Sequence, residues 1–172
     1  MGAIYKNIKQ IFRIARGKWS LISKFDVLIE PSVVIKFPDS ITFGARCTVQ
    51  AGAYIYGSRN EKPVRFGNYV LVSHGNTIMG EAGLEIGDFT HLGPHVSVVT
   101  QYGDGKTDPC VPNPTVKYAA ISIGKGCWIG AGSIIMPGTI LGDRTRVAPN
   151  SVVYGRWPDG QLLSGDPARS VG

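Results

Sequence analysis

From about residue 27 onward, apolar positions recur on an unusual period. A four-residue signature of apolar, any, apolar, glycine appears as Ile41-Thr42-Phe43-Gly44, Val64-Arg65-Phe66-Gly67, Leu84-Glu85-Ile86-Gly87 and Ile121-Ser122-Ile123-Gly124. After each start an apolar residue returns every six positions. The triplets are Phe43/Val49/Ile55, Phe66/Val72/Ile78, Ile86/Leu92/Val98, Ile123/Ile129/Ile135 and Leu141/Val147/Val153, preceded by a partial set, Ile29/Ile35. Small or compact residues sit four after many of these: Cys47, Ala53, Thr90, Val96, Cys127, Ser133, Thr139, Thr145 and Ser151. A period of six is neither the 3.6 of a helix nor the simple alternation of a hairpin. Three such hexads, about 18 residues, make one coil of a three-sided parallel β-solenoid, a repeat architecture. The pattern predicts an all-β fold of about five to six coils stacked at the ~4.8 Å strand spacing. The triplets form inward ladders and the small residues fill the corners.

The remainder of the chain departs from this grammar in informative places. Residues 4–22 read as an amphipathic helix, with Ile4, Ile8, Ile11, Phe12, Ala15, Trp19 and Ile22 near one stripe. Its simplest role is to cap the end of the solenoid; its basic composition also fits contact with an anionic membrane surface. The chain therefore divides into a helix over 1–26 and a solenoid domain over 27–172. Short excursions interrupt the period at 56–63 and 79–85. A 22-residue loop, 99–120, carries three prolines, and long loops on rigid scaffolds are commonly functional.

Composition narrows the function classes. The 172 residues are 43% hydrophobic and 17% charged, with 23 glycines, as expected of a folded domain with many tight turns. The net charge of +6 is concentrated at one end: Lys6, Lys9, Arg13, Arg16, Lys18 and Lys24 occur before the first acid, Asp26. The remaining body is neutral, which argues against nucleic acid as a partner. Cys47, Cys110 and Cys127 form no disulfide framework and suit a reduced cytoplasmic setting. No apolar run reaches the ~18 residues of a transmembrane helix, and the N-terminal residues lack the uninterrupted apolar stretch expected of a secretory signal. The expected location is cytoplasmic, peripheral at the inner face of the membrane if the first helix docks there.

The stretch Ile121–Gly172 resembles the hexapeptide-repeat acyltransferases, the left-handed parallel β-helix family, and within it the galactoside, maltose and polysaccharide O-acetyltransferases. The resemblance rests on Trp128-Ile129-Gly130-Ala131, on Pro137-Gly138, and on Gly165-Asp166-Pro167-Ala168-Arg169. It implies a homotrimer with an active site between adjacent solenoids. It also implies acetyl-CoA as donor, no metal, and as acceptor a sugar or a nucleotide- or lipid-linked sugar in cell-surface polysaccharide synthesis. By the same resemblance Trp128, Ala131, Pro149, Tyr154 and Arg169 line the CoA path, with Arg169 suited to pair with a phosphate.

Attack of a hydroxyl or amine on a thioester needs a base and donors for the oxyanion. Histidine is the usual base, and the chain has three: His74, His91 and His95. At the position where the galactoside and maltose enzymes place their catalytic histidine, this chain has Gly103, and Gln101 stands two residues earlier. His74, two residues after Val72, lies in a hexad, Val72-Ser73-His74-Gly75-Asn76-Thr77, that resembles the catalytic hexad of the lipid A UDP-N-acetylglucosamine acyltransferase and of bacterial aminosugar N-acetyltransferases, which implies an outward side chain acting as base. His95 in Gly93-Pro94-His95-Val96 is the second candidate: residue 75 falls under residue 95 in the hexad register, so the two histidines become neighbours on adjacent coils. His91 lies one coil under Trp128 and reads as structural or thiol-adjacent. The resemblance assigns Ser73 and Glu81 to acceptor binding, and loop Asp104 is a further acceptor candidate.

Two other classes share this solenoid. The γ-class carbonic anhydrases bind zinc through three histidines across a subunit interface, but the histidine spacings here, 17 and 4 residues, differ from theirs. A non-catalytic binding subunit would keep the fold and lose the base.

Overall fold

A computed structural model describes residues 17–103, 110 and 115–171. The coils lay three parallel sheets around one apolar core. The first face is an eight-stranded sheet beginning Val27–Ile29, Cys47–Val49, Leu71–Val72, His91–Leu92 and Trp128–Ile129. The second face is six-stranded, with Val34–Lys36, Tyr54–Tyr56, Thr77–Met79, Ser97–Val99, Ile134–Ile135 and Val152–Val153. The third, also six-stranded, begins at Ile41–Phe43, Val64–Phe66, Leu84–Ile86 and Ile121–Ile123. All pairing around the solenoid is parallel; the final Leu162–Gly165 and Ala168–Ser170 close the first face as an antiparallel hairpin.

The six-residue period is the physical repeat of strand plus turn. Every member of the five triplets is buried, as are Ile29 and Ile35 and all nine corner residues from Cys47 to Ser151. Corner hydroxyls satisfy the turns from inside: Thr90 Oγ1 donates to Gly124 O at 2.8 Å and accepts from Cys127 N at 3.1 Å. The glycine that closes each signature serves the next coil. A Cβ on Gly44 would lie 2.6 Å from Asn68 Oδ1, the atom that accepts the Ala45 N–H at 2.8 Å. Asp88 does the same for Asn68, Asp143 for Lys125 and Asp159 for Asp143. The third face is thus pinned at its exit by a column of Asn and Asp side chains, each entering room left by a glycine.

The described part of the first helix, residues 17–24, caps the solenoid through Leu21, which is 2% exposed, and through Lys18, whose ammonium donates to Glu30 O and Pro31 O. Burial lowers the Lys18 pKa. Trp19 and Ile22, placed on the apolar stripe by periodicity, face outward instead, Trp19 at 72% exposure. Leu21 plugs the end because the helix stops at residue 24 and the chain turns through Phe25, which meets Phe43 edge-on at 6.4 Å. The rest of that stripe, Ile4 to Ala15, lies outside the described residues.

The 99–120 loop leaves the solenoid as a two-stranded antiparallel ribbon. Gln101–Gly103 pairs with Val116–Tyr118, Gln101 opposite Tyr118. Its root is fixed by buried Thr100, whose Oγ1 donates to Met79 O at 2.9 Å and accepts from Ala82 N at 3.0 Å.

Candidate active site

The turn joining the first face to the second stacks in register from coil to coil. Each left-handed residue donates its N–H to the preceding turn residue of the coil below: Gly75 to Ala51 O (3.0 Å), His95 to His74 O (3.0 Å), Gly132 to Pro94 O (2.9 Å) and Asn150 to Ala131 O (2.9 Å). One outer column therefore runs Ala51, His74, Pro94, Ala131, Pro149. A second runs Gly52, Gly75, His95, Gly132, Asn150.

His74 and His95 meet on this corner. Both are exposed, and their rings approach edge to face with centroids 5.2 Å apart and planes at 89°. One ring edge thus faces the other ring. Ala131 and Pro149 share the column with His74, two and three coil spacings away, about 10 and 14 Å at ~4.8 Å per coil. Trp128, 58% exposed, flanks the corner on the first face. It lies over His91, its register partner, with centroids 5.3 Å apart. Exposed Tyr154 lies across the second face from this corner, directly after Val152–Val153, and Trp157 Nε1 donates to its carbonyl at 2.7 Å. Arg169 sits on the closing hairpin opposite Ser164, where its Nη1 donates to Ala168 O at 3.0 Å.

The acceptor candidates separate. Ser73 is buried directly before His74, its N–H on Leu92 O at 3.1 Å. Glu81 is at the next corner, past the second-face strand, and is 3% exposed. Its carboxylate accepts from Asn60 Nδ2 at 3.0 Å and Arg59 Nε at 3.4 Å, and its carbonyl accepts from Ser58 Oγ at 3.0 Å. It fastens the 56–63 excursion to the solenoid, a pairing that sequence reading does not reach. Asp104 lies outside the described residues. Among the described residues no three of His, Cys, Asp and Glu converge as a metal-binding group; His91 stands apart from the other two histidines, against Trp128.

Two further residues belong to the corner and were missed by motif reading. Gly75 underlies the His95 ring, and Asn76, completely buried, accepts the Val96 N–H on Oδ1 at 2.7 Å. The available signal was asparagine at a corner position that other coils fill with Ser, Thr, Cys, Ala or Val.

A three-sided parallel solenoid built on six-residue repeats, with a histidine pair among its outer turns, defines a hexapeptide-repeat protein. A family model described as bacterial transferase hexapeptide (six repeats) matches residues 120–155. Nodulation protein L of Rhizobium meliloti (strain 1021) is 32% identical over 145 residues, 84% of this chain and 69% of that protein. Galactoside O-acetyltransferase of Lactococcus lactis subsp. lactis (strain IL1403) is 26% identical over 129 residues, 72% and 58% of the two chains. Among solved structures, AntD, an N-acyltransferase from Bacillus cereus in complex with dTDP and 3-hydroxybutyryl-CoA, superposes with a TM-score of 0.76 at 26% identity, covering 85% of this chain and 79% of that one. The chain belongs to the hexapeptide-repeat acyltransferase family. It spans 52–77% of the length of the first curated relatives it matches.

Proposed function

We propose that this protein is an acetyl-CoA-dependent acetyltransferase that acetylates a hydroxyl or amine of a sugar used in cell-surface polysaccharide synthesis. The observation that carries the reading is the His74–His95 pair, 5.2 Å apart, on the same corner column as Ala131 and Pro149. A donor extended along that column brings its thioester to the histidines. Family membership and the CoA thioester bound to AntD support CoA chemistry, and a relative in Escherichia coli named as a lipopolysaccharide biosynthesis O-acetyl transferase supports the polysaccharide setting.

In this mechanism His74 takes the proton from the acceptor hydroxyl or amine as its oxygen or nitrogen attacks the thioester carbonyl. His95, edge-on to His74, orients it and donates to the developing oxyanion. The C–S bond then breaks, and the proton held by His74 passes to the departing CoA sulfur, giving acetylated sugar and free thiol. Trp128 flanks the donor, and Arg169 pairs with a CoA phosphate. Ser73, beside His74, is the acceptor-side candidate at this corner, while Glu81 acts on the acceptor only through the Arg59 and Asn60 it holds at the next corner. The active unit is a homotrimer whose sites lie between solenoids. The N-terminal segment, with six bases before its first acid and Trp19 exposed, holds the enzyme at an anionic membrane surface, close to a lipid-linked acceptor. No described helix is long and apolar enough to cross a membrane.

The test is thiol release from acetyl-CoA across a panel of nucleotide sugars, with product mass as a second readout. Release that requires both substrates and yields an acetylated sugar supports the proposal. Absence of acetyl-CoA binding by calorimetry overturns it.

A further inference from the structure

The left-handed position of the active corner is held by Gly52, Gly75, His95, Gly132 and Asn150, with φ of 72°, 68°, 55°, 71° and 55°. Histidine is the one ring in this column. It adopts a backbone conformation that L-residues avoid and glycine adopts freely. The conformation belongs to the turns of the repeat, since Arg46, Tyr69, Phe89 and Arg144 hold it at another corner; what distinguishes His95 is the ring it carries and the groups beneath it. Three of those groups set the ring and its turn, and two of them belong to one dipeptide.

We infer that Gly75 and Asn76 are positioning residues that set the edge-on approach of His95 to His74. The inference rests on the reading that this histidine pair performs the acyl transfer. Gly75 acts by lacking a side chain: a Cβ there would overlap Nδ1 of His95 and lie 2.5 Å from Cε1. The His95 ring therefore occupies the volume that any other residue at 75 would fill. Asn76 acts by hydrogen bonding. Its Oδ1 accepts the N–H of Val96, the residue after His95, at 2.7 Å, while the His95 N–H is held by His74 O at 3.0 Å. The turn is thus fixed on both sides of the left-handed residue. Elsewhere shorter hydroxyls do the equivalent job with longer bonds, as in Ser133 Oγ accepting from Ser151 N at 3.3 Å and Thr90 Oγ1 from Cys127 N at 3.1 Å. Asparagine brings a cost that hydroxyls avoid: among the described residues its Nδ2 is the buried side-chain polar atom without a hydrogen-bond partner. A buried donor left unsatisfied calls for an explanation, and the tighter grip on the His95 turn supplies one.

The experiment compares Gly75→Ala, Asn76→Ala, Asn76→Thr and His95→Asn, together with the Gly75→Ala/His95→Asn double variant. Both kcat and KM for acetyl-CoA are measured, and the histidine ring resonances are followed by NMR. Displacing the ring by about 1 Å is expected to lower kcat on the order of 100-fold in Gly75→Ala, with KM for acetyl-CoA within about twofold. On the His95→Asn background the same substitution still crowds the side chain above it, as a Cβ on Gly132 would crowd Asn150 Oδ1, but it should lower kcat little further, because the ring it displaces is gone. Asn76→Ala should lower kcat, and Asn76→Thr should restore most of it by returning an acceptor to Val96 N–H. A Gly75→Ala loss that persists in full on the His95→Asn background overturns the inference, as does Asn76→Thr behaving like Asn76→Ala. The NMR readout needs no turnover. A wild-type protein without acetyl transfer defeats the functional reading alone, whereas His74 and His95 resonances unmoved in Gly75→Ala defeat this inference alone.

Discussion

Gly130 offers a test of how rigidly the stacked coils build the corner. It lies between Ile129 and Ala131, and a Cβ there would lie 2.5 Å from Pro149 N, 2.7 Å from Val147 O and 2.8 Å from Ala148 C. All three are backbone atoms of the next coil, so no side-chain rotation relieves the overlap. The coils must move apart where Gly130 N–H donates to Val147 O at 2.8 Å and Asn150 N–H to Ala131 O at 2.9 Å. Overpacking costs about 1–3 kcal/mol, and weakening two ladder bonds adds about 1 kcal/mol each. Gly130→Ala is therefore expected to lose about 3–5 kcal/mol. At about 2–4 °C per kcal/mol for a chain of this size, the melting midpoint should fall by about 6–20 °C. Scanning calorimetry at fixed protein concentration measures it, with Gly103→Ala as the matched control, since a Cβ on Gly103 meets nothing within 4 Å. Ala131 and Pro149 would shift with the coils, so weaker acetyl-CoA binding should accompany the loss. Equal midpoints for Gly130→Ala and Gly103→Ala would refute the picture of coils locked by backbone contact.

Two further predictions follow from buried groups. Burial pushes the Cys47 and Cys127 thiols above their ordinary pKa. Below the ordinary thiol range, about 8.5, folded and unfolded forms are both protonated and the thiols do not affect stability; above it the unfolded chain ionises first. Stability should decline from about pH 8.5 upward until the folded thiols ionise. Cys127→Ser, which keeps a donor for Gly142 O, should flatten that decline in a thermal-melt series; an unchanged slope would count against it. Glu81→Gln removes the carboxylate that holds Arg59 and Asn60 and should cost about 1–3 kcal/mol. Amide exchange should accelerate across residues 57–63 while the coil of His91 stays protected; uniform exchange rates would contradict the local tether.

The solenoid was legible because its repeat is short and each hexad carries its own instruction. An aliphatic points in, a small residue rounds the corner, and the same rule applies to Val72-Ser73-His74-Gly75-Asn76-Thr77 as to Ile129 through Ile134. Register between coils followed from counting hexads, which placed Trp128 over His91 and brought His74 beside His95 as observed. Contacts that depend on departures from the repeat were not legible. Glu81 finds Arg59 and Asn60 only because the excursion folds back, and no periodicity encodes that path. The ribbon of Gln101–Gly103 with Val116–Tyr118 pairs short segments with no strong alternation. In the first helix, amphipathicity marked Trp19 and Ile22, while the plug is Leu21, chosen by where the helix meets the open coil. The role of Gly75 is set by the ring above it, twenty residues later, and so appears only in three dimensions.

Acetyl transfer from CoA at this corner, as proposed, depends on His74 as base. The most direct measurement is steady-state thiol release by His74→Ala alongside calorimetric acetyl-CoA binding by the same protein. A base at this position predicts a fall in kcat of about 10²–10⁴-fold with acetyl-CoA affinity unchanged. Wild-type turnover in His74→Ala would contradict it and remove His74 from the chemistry.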